Sequence, residues 1–143
     1  MGRLLAIDFG RKRCGIAVTD PFCIVANPLE TVETARLTEF VTAYVKAENV
    51  SEVVIGMPRT VRGEDSETVR YMTPVVNRLK KLIEPVEVVF FDERFTSVLA
   101  HRAMIDGGLG RKARRDKATV DKVSASIILN DYLNSRKYQD KTK

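Results

Sequence analysis

Residues 4–19 read LLAIDFGRKRCGIAVT, and this stretch decides the fold. Leu4 to Asp8 is an apolar run that ends in an acid, and Gly15 to Thr19 is a second apolar run. Gly10 to Arg13 between them has the composition of a hairpin turn, so two antiparallel strands are predicted. A third strand is predicted from Cys23 to Val25 and on toward Val32, with Pro21 and Pro28 marking its turns or its edge.

Beyond this meander the pattern changes to alternating helix and strand. Leu37, Phe40, Val41, Tyr44 and Val45 recur at the spacing of an amphipathic helix. Val53 to Met57 reads as a buried strand that stops at Pro58. Val69, Met72, Val76, Leu79 and Ile83 predict a long second helix, capped by Asp65 or Ser66, with Pro74 expected to start or kink a segment. Val86 to Phe91 is apolar on both faces, as a central strand would be. A helix from about Thr96 to Gly107-Gly108 is expected next, then a polar, basic loop from Gly110 to Ala118. Thr119 caps a last helix running to about Asn134. Strands first, then alternating helix and strand, predict one α/β domain over residues 1–134: a mixed five-stranded sheet flanked by helices. Residues 135–143 have no apolar anchor and read as a disordered basic tail.

The chain has 143 residues, enough for a single core that buries roughly 68–70% of the unfolded surface. With 44% apolar and 30% charged residues it matches a soluble globular protein. No stretch approaches the ~20 apolar residues that span a bilayer, and the N-terminus lacks the apolar core of an export signal. Free thiols in the cytoplasm are therefore expected. Two cysteines, Cys14 and Cys23, and one histidine, His101, supply neither a zinc site nor a Ser-His-Asp arrangement.

Charge is unevenly spread. Residues 1–100 carry 13 Lys and Arg against 14 Asp and Glu, whereas residues 101–143 carry 11 against 5. A pI near 9.4 with this asymmetry points to a polyanionic partner, either nucleic acid or a membrane surface. The plainer alternative is a solvated tail and a charged loop.

Acids on three separate elements stand where chemistry is expected. Asp8 ends the first strand, Asp92 and Glu93 end the last, and Asp121 shares the apolar face of the final helix with Ala125, Ile128 and Tyr132. An inward-facing carboxylate is costly unless paired or metal-bound, although Asp121 also suits a helix N-terminus. Oxygen ligands without a histidine cluster favour Mg²⁺ or Mn²⁺, which keep waters for substrate phosphates. Such a cluster clamps a phosphate and activates water.

AIDFGRKRCGIAVTD (Ala6 to Asp20), VVIGMPRTVRGEDS (Val53 to Ser66), FFDERFTS (Phe90 to Ser97) and TVDKVSASIILNDYL (Thr119 to Leu133) resemble the YqgF family. These are small bacterial ribonuclease H-like proteins, described as pre-16S rRNA nucleases or Holliday junction resolvases. The resemblance spans nearly the whole chain. It implies a ribonuclease H-like sheet, three antiparallel strands followed by two parallel ones, with Asp8, Glu93 and Asp121 as catalytic, metal-binding acids. RuvC-type resolvases usually carry a further acid three residues after the helix aspartate, where Ser124 stands here. Asp92, on the other side of the strand from Glu93, suits a cap or an ion pair.

Basic residues cluster around these acids. Arg11, Lys12 and Arg13 lie in the hairpin after Asp8. Arg59 and Arg62 flank a strand end, and Arg94 follows Glu93. Arg111, Lys112, Arg114, Arg115 and Lys117 form a basic flap beside three glycines. All are expected to contact nucleic acid. Phe9, Phe91 and Phe95 are expected in the core, and Cys14 and Cys23 as small apolar residues.

The leading expectation is a metal-dependent nuclease, a hydrolase of phosphodiester esters, acting as a monomer or homodimer. Processing of the 5′ end of pre-16S rRNA is preferred; resolution of branched DNA is the alternative. Two further classes remain open. One is a non-catalytic nucleic-acid-binding module. The other is an ATP-handling protein, since Asp8-Phe9-Gly10 also resembles the phosphate loop of the actin and sugar-kinase superfamily, which needs two such domains.

Overall fold

The computed structural model describes residues 2–57, 67–92 and 117–142. Five strands form one sheet: β1 (Arg3–Asp8), β2 (Arg13–Thr19), β3 (Ala26–Glu33), β4 (Val50–Met57) and β5 (Glu87–Asp92). Their order across the sheet is β3-β2-β1-β4-β5. β1, β2 and β3 are antiparallel neighbours, whereas β4 runs parallel to both β1 and β5. This is the expected mixed sheet, with the first strand at its centre.

Strand alternation sorts the core into two layers. Leu5, Ile7, Ile16, Val53 and Ile55 face one side, where they pack against α1 (Leu37–Glu48) and α2 (Glu67–Leu82) through Leu37, Val41, Met72, Val76 and Leu79. Leu4, Ala6, Ala17 and Val54 face the other side, under Ala125, Ile128, Leu129 and Leu133 of α3 (Lys117–Thr142). Small Ala6 and Ala17 leave room for that helix to lie close to the sheet. No helix among the described residues is long and apolar enough to cross a membrane.

The structure departs from the sequence-based expectation in five places. β3 starts at Ala26 rather than Cys23, because Cys23 is in the left-handed region (φ 58°) and closes a turn. Asp20 organises that turn: its carboxylate accepts the N–H groups of Val25 and Ile24 at 2.8 Å each and of Phe22 at 3.0 Å. These bonds, Val25 foremost, hold its carboxyl below the usual carboxylate range. Next, β5 lies at the edge of the described sheet rather than at its centre. Its outer residue Phe90 is half-exposed, with the Lys80 Nζ 5.2 Å from its ring centre. A short 3₁₀ turn, Thr34–Arg36, precedes α1. Finally, α3 starts at Lys117, before Thr119, and continues to Thr142 through the stretch read as a tail. No glycine or proline interrupts residues 117–142, so nothing in the backbone stops the helix. α2 likewise continues through Pro74.

Candidate active site

The site is built from the end of β1. Asp8 follows Leu4 and Ala6 on the face covered by α3, and it is 6% exposed. Its register partners are Gly15 on β2 and Gly56 on β4. Neither neighbour brings a side chain beside the carboxylate, so the sheet is cleared around the acid on both sides. Gly56 in turn pairs with Phe91 of β5, whose ring meets Tyr132 of α3 edge-on at 5.6 Å. The Tyr132 hydroxyl is hydrogen-bonded to the Glu52 carboxylate of β4. These contacts fix α3 over β4 and β5.

On α3 the inward stripe includes Ser124, Ala125, Ile128 and Leu129, all buried. Position 121 lies one helical turn before Ala125, in the N-terminal part of α3. Ser124, at the position of the further acid of RuvC-type resolvases, is buried with a hydroxyl instead. β4 stands between β1 and β5, so the backbone of β5 at Asp92 is two strands away from Asp8, about 10 Å along the hydrogen-bonding direction.

Asp121, Lys117 and Asp92 are thus placed by backbone alone. Glu93, Arg94, Arg59, Arg62, Arg111, Lys112, Arg114 and Arg115 lie outside the described residues, as do Phe95, His101 and the expected fourth helix. Among the described residues, no three Asp, Glu, His or Cys side chains cluster as a metal site.

The hairpin after Asp8 is pinned from behind. The Thr34 hydroxyl donates to the Gly10 carbonyl at 2.7 Å, and the Thr34 N–H donates to the Lys12 carbonyl at 3.0 Å. Arg11 and Lys12 project from this turn into solvent, while Arg13 is half-buried at the start of β2. A side chain at Gly10 would bring its Cβ to 2.4 Å from the Arg13 carbonyl oxygen. Gly10→Ala is therefore expected to shift the turn and cost about 1–3 kcal/mol, the scale of a forced backbone movement. A wild-type denaturant midpoint for this variant would contradict the tight turn.

Two features escaped sequence reasoning. One is the glycine pair beside Asp8, which becomes visible only once the register is known. The other is Tyr71, whose ring lies 4.8 Å from the Arg11 guanidinium carbon. Its signal was in the sequence: Tyr71 falls outside the Val69, Met72, Val76 stripe of α2, so the helix turns it away from the core. Phe9 and Cys14 are buried as expected, and Cys23 is half-buried with its thiol 3.1 Å from the Gly2 carbonyl.

The family model described as RuvX: Holliday junction resolvase matches residues 2–135. The chain belongs to the RuvX family. This is the family that the YqgF-like motifs pointed to. A protein of Phocaeicola vulgatus named "Putative pre-16S rRNA nuclease" is 52% identical over 138 residues, 96% of this chain and 99% of that one. A Bacteroides fragilis protein of the same name is 50% identical over 137 residues, again 96% and 99% of the two chains. Among solved structures, Thermus thermophilus RuvC in complex with a Holliday junction substrate matches with a TM-score of 0.59 at 16% identity. The match covers 94% of this chain and 96% of that one, and it bears on the fold alone: RuvC is ribonuclease H-like.

Proposed function

We propose that this RuvX-family protein is a cytoplasmic, metal-dependent nuclease that hydrolyses phosphodiester bonds at the 5′ end of pre-16S rRNA during ribosome biogenesis. One observation carries the reading: a buried carboxylate, Asp8, ends the central strand with a glycine on either side. Burying a carboxylate is costly, and carboxylate oxygen is the ligand that hard divalent cations prefer. The names of the curated relatives favour precursor rRNA as substrate. The family description favours branched DNA as the second reading.

Asp8, Glu93 and Asp121 are the residues that would hold Mg²⁺ or Mn²⁺, since carboxylate oxygens suit these hard ions. When bound, the cation would neutralise charge on the scissile phosphate and ease deprotonation of the attacking water. Arg11, Lys12 and Arg13 would draw the nucleic-acid backbone to the end of the sheet that Asp8 occupies. Arg59, Arg62, Arg94 and the flap from Arg111 to Lys117 would extend that basic surface.

Two measurements test these assignments. Mg²⁺ or Mn²⁺ is expected to raise the melting temperature in proportion to saturation, because the ion binds the folded acids and not the unfolded chain. An unchanged melting temperature with either ion, with and without RNA, argues for the non-catalytic module. Neutralising Arg114 and Arg115 together is expected to flatten the dependence of log affinity on log salt. The slope should fall by about 0.7–0.9 for each phosphate that the protein no longer neutralises. Curves that superimpose on wild type would remove the flap from the interface.

A further inference from the structure

We infer that Tyr71, with the Arg11 guanidinium over its ring, forms a platform for an unpaired nucleobase of the substrate strand near the hairpin that follows Asp8. The inference rests on the nuclease reading of Asp8 and adds to it a base-contacting residue.

Arg11 stands three residues after Asp8, on a turn whose backbone is tied at Gly10 and Lys12 by Thr34. Its guanidinium is therefore delivered from a fixed base to the same end of the sheet as the acid. Tyr71 reaches this guanidinium from α2, on a different part of the chain, and the carbon-to-ring distance of 4.8 Å is that of a cation–π contact. The neighbouring Met72 is buried in the core, which sets the helix phase and turns Tyr71 outward. Tyr71 remains 57% exposed, so the core makes little use of the ring. Arg70, beside it, is exposed as well.

An exposed aromatic ring with a cation on one face is the combination that single-stranded nucleic acids use. Every base offers a π-face to the ring. The exposed guanidinium over the ring adds a positive charge that attracts the backbone phosphates of the same strand. A base seated on Tyr71 and a phosphate held by Arg11 would fix the register of the strand as it passes Asp8. Such a platform selects unpaired over fully paired nucleotides, because a base inside a duplex already has both faces covered. The platform therefore supplies a preference for single-stranded ends that the acids alone do not explain.

The test uses a short single-stranded RNA oligonucleotide carrying a fluorescent adenine analogue, in buffer without divalent cation so that nothing is cleaved. Stacking quenches the analogue. Wild type and Tyr71→Phe are expected to quench it, whereas Tyr71→Leu should bind about ten-fold more weakly and leave the emission unquenched. An oligonucleotide with abasic positions should bind wild type and Tyr71→Leu alike. Three results overturn the proposal. If Tyr71→Leu binds and quenches as wild type does, the ring contacts no base, and the nuclease reading stands without it. If Tyr71→Leu weakens the abasic strand equally, the tyrosine acts only by holding Arg11. If wild type binds no RNA at all, the nuclease reading falls and the platform with it.

Discussion

Asp8→Asn is expected to slow cleavage of a precursor rRNA 5′ end by about 10²–10³-fold or more, the scale of losing a principal electrostatic contribution at the reacting phosphate. Asparagine keeps the shape of the side chain between Gly15 and Gly56 and removes the charge that would hold the cation. Affinity in metal-free buffer should stay level or rise, since a negative charge near the phosphates has gone. The fold should survive, because the apolar core is untouched and a buried negative charge becomes neutral. A non-catalytic module predicts instead that no cleavage exists to lose. The decisive comparison is cleavage and binding side by side for both proteins, on precursor rRNA ends and on four-way junctions. Equal rates for wild type and Asp8→Asn would remove Asp8 from the chemistry.

The second large effect is on stability. Ile128 is fully buried between α3 and the sheet, in the layer of Leu4, Ala6, Ala17 and Val54. Ile128→Ala is expected to cost about 2–5 kcal/mol, the range for a large-to-small change in a close-packed core. The alanines opposite are too small to collapse into the space, which places the cost toward the upper part of that range. The same loosening should blunt activity, because α3 carries position 121 and this stripe packs it on the sheet. Chemical denaturation of the pair of proteins measures the first effect. A destabilisation well under 1 kcal/mol would mean that α3 is not seated as described.

Much of this was legible in the chain. The continuous apolar run Leu4 to Asp8, followed by the turn residues Gly10 to Arg13, made its antiparallel pairing with Gly15 to Thr19 legible. The apolar stripes of α1 and α2 revealed their positions because helix periodicity is a local property. Two kinds of information were not local. β5 is apolar on both faces through contacts that tertiary packing supplies, Val88 under α2 and Phe91 against Tyr132, so composition alone placed it in the middle of the sheet rather than at its edge. The turn after β2 was also hidden: Cys23 and Val25 have strand-like side chains, and only the Asp20 carboxylate, by collecting three N–H groups, overrides them. Of the proposed site, Asp8 could be read as a strand-end acid, whereas the clearing around it needed the register of three strands.

The central place of β1 has a bearing on how the molecule is made. β1, made before the other four strands of the sheet, pairs on one side with its immediate successor, β2, and on the other with β4, which is complete only at Met57. The meander of β1, β2 and β3 can close early, by short-range contacts that fold quickly. Among the described residues, the helical cover of its Leu4, Ala6 and Ala17 face comes from α3, which is made after all five strands. That layer of the core therefore closes only after the whole sheet has been synthesised.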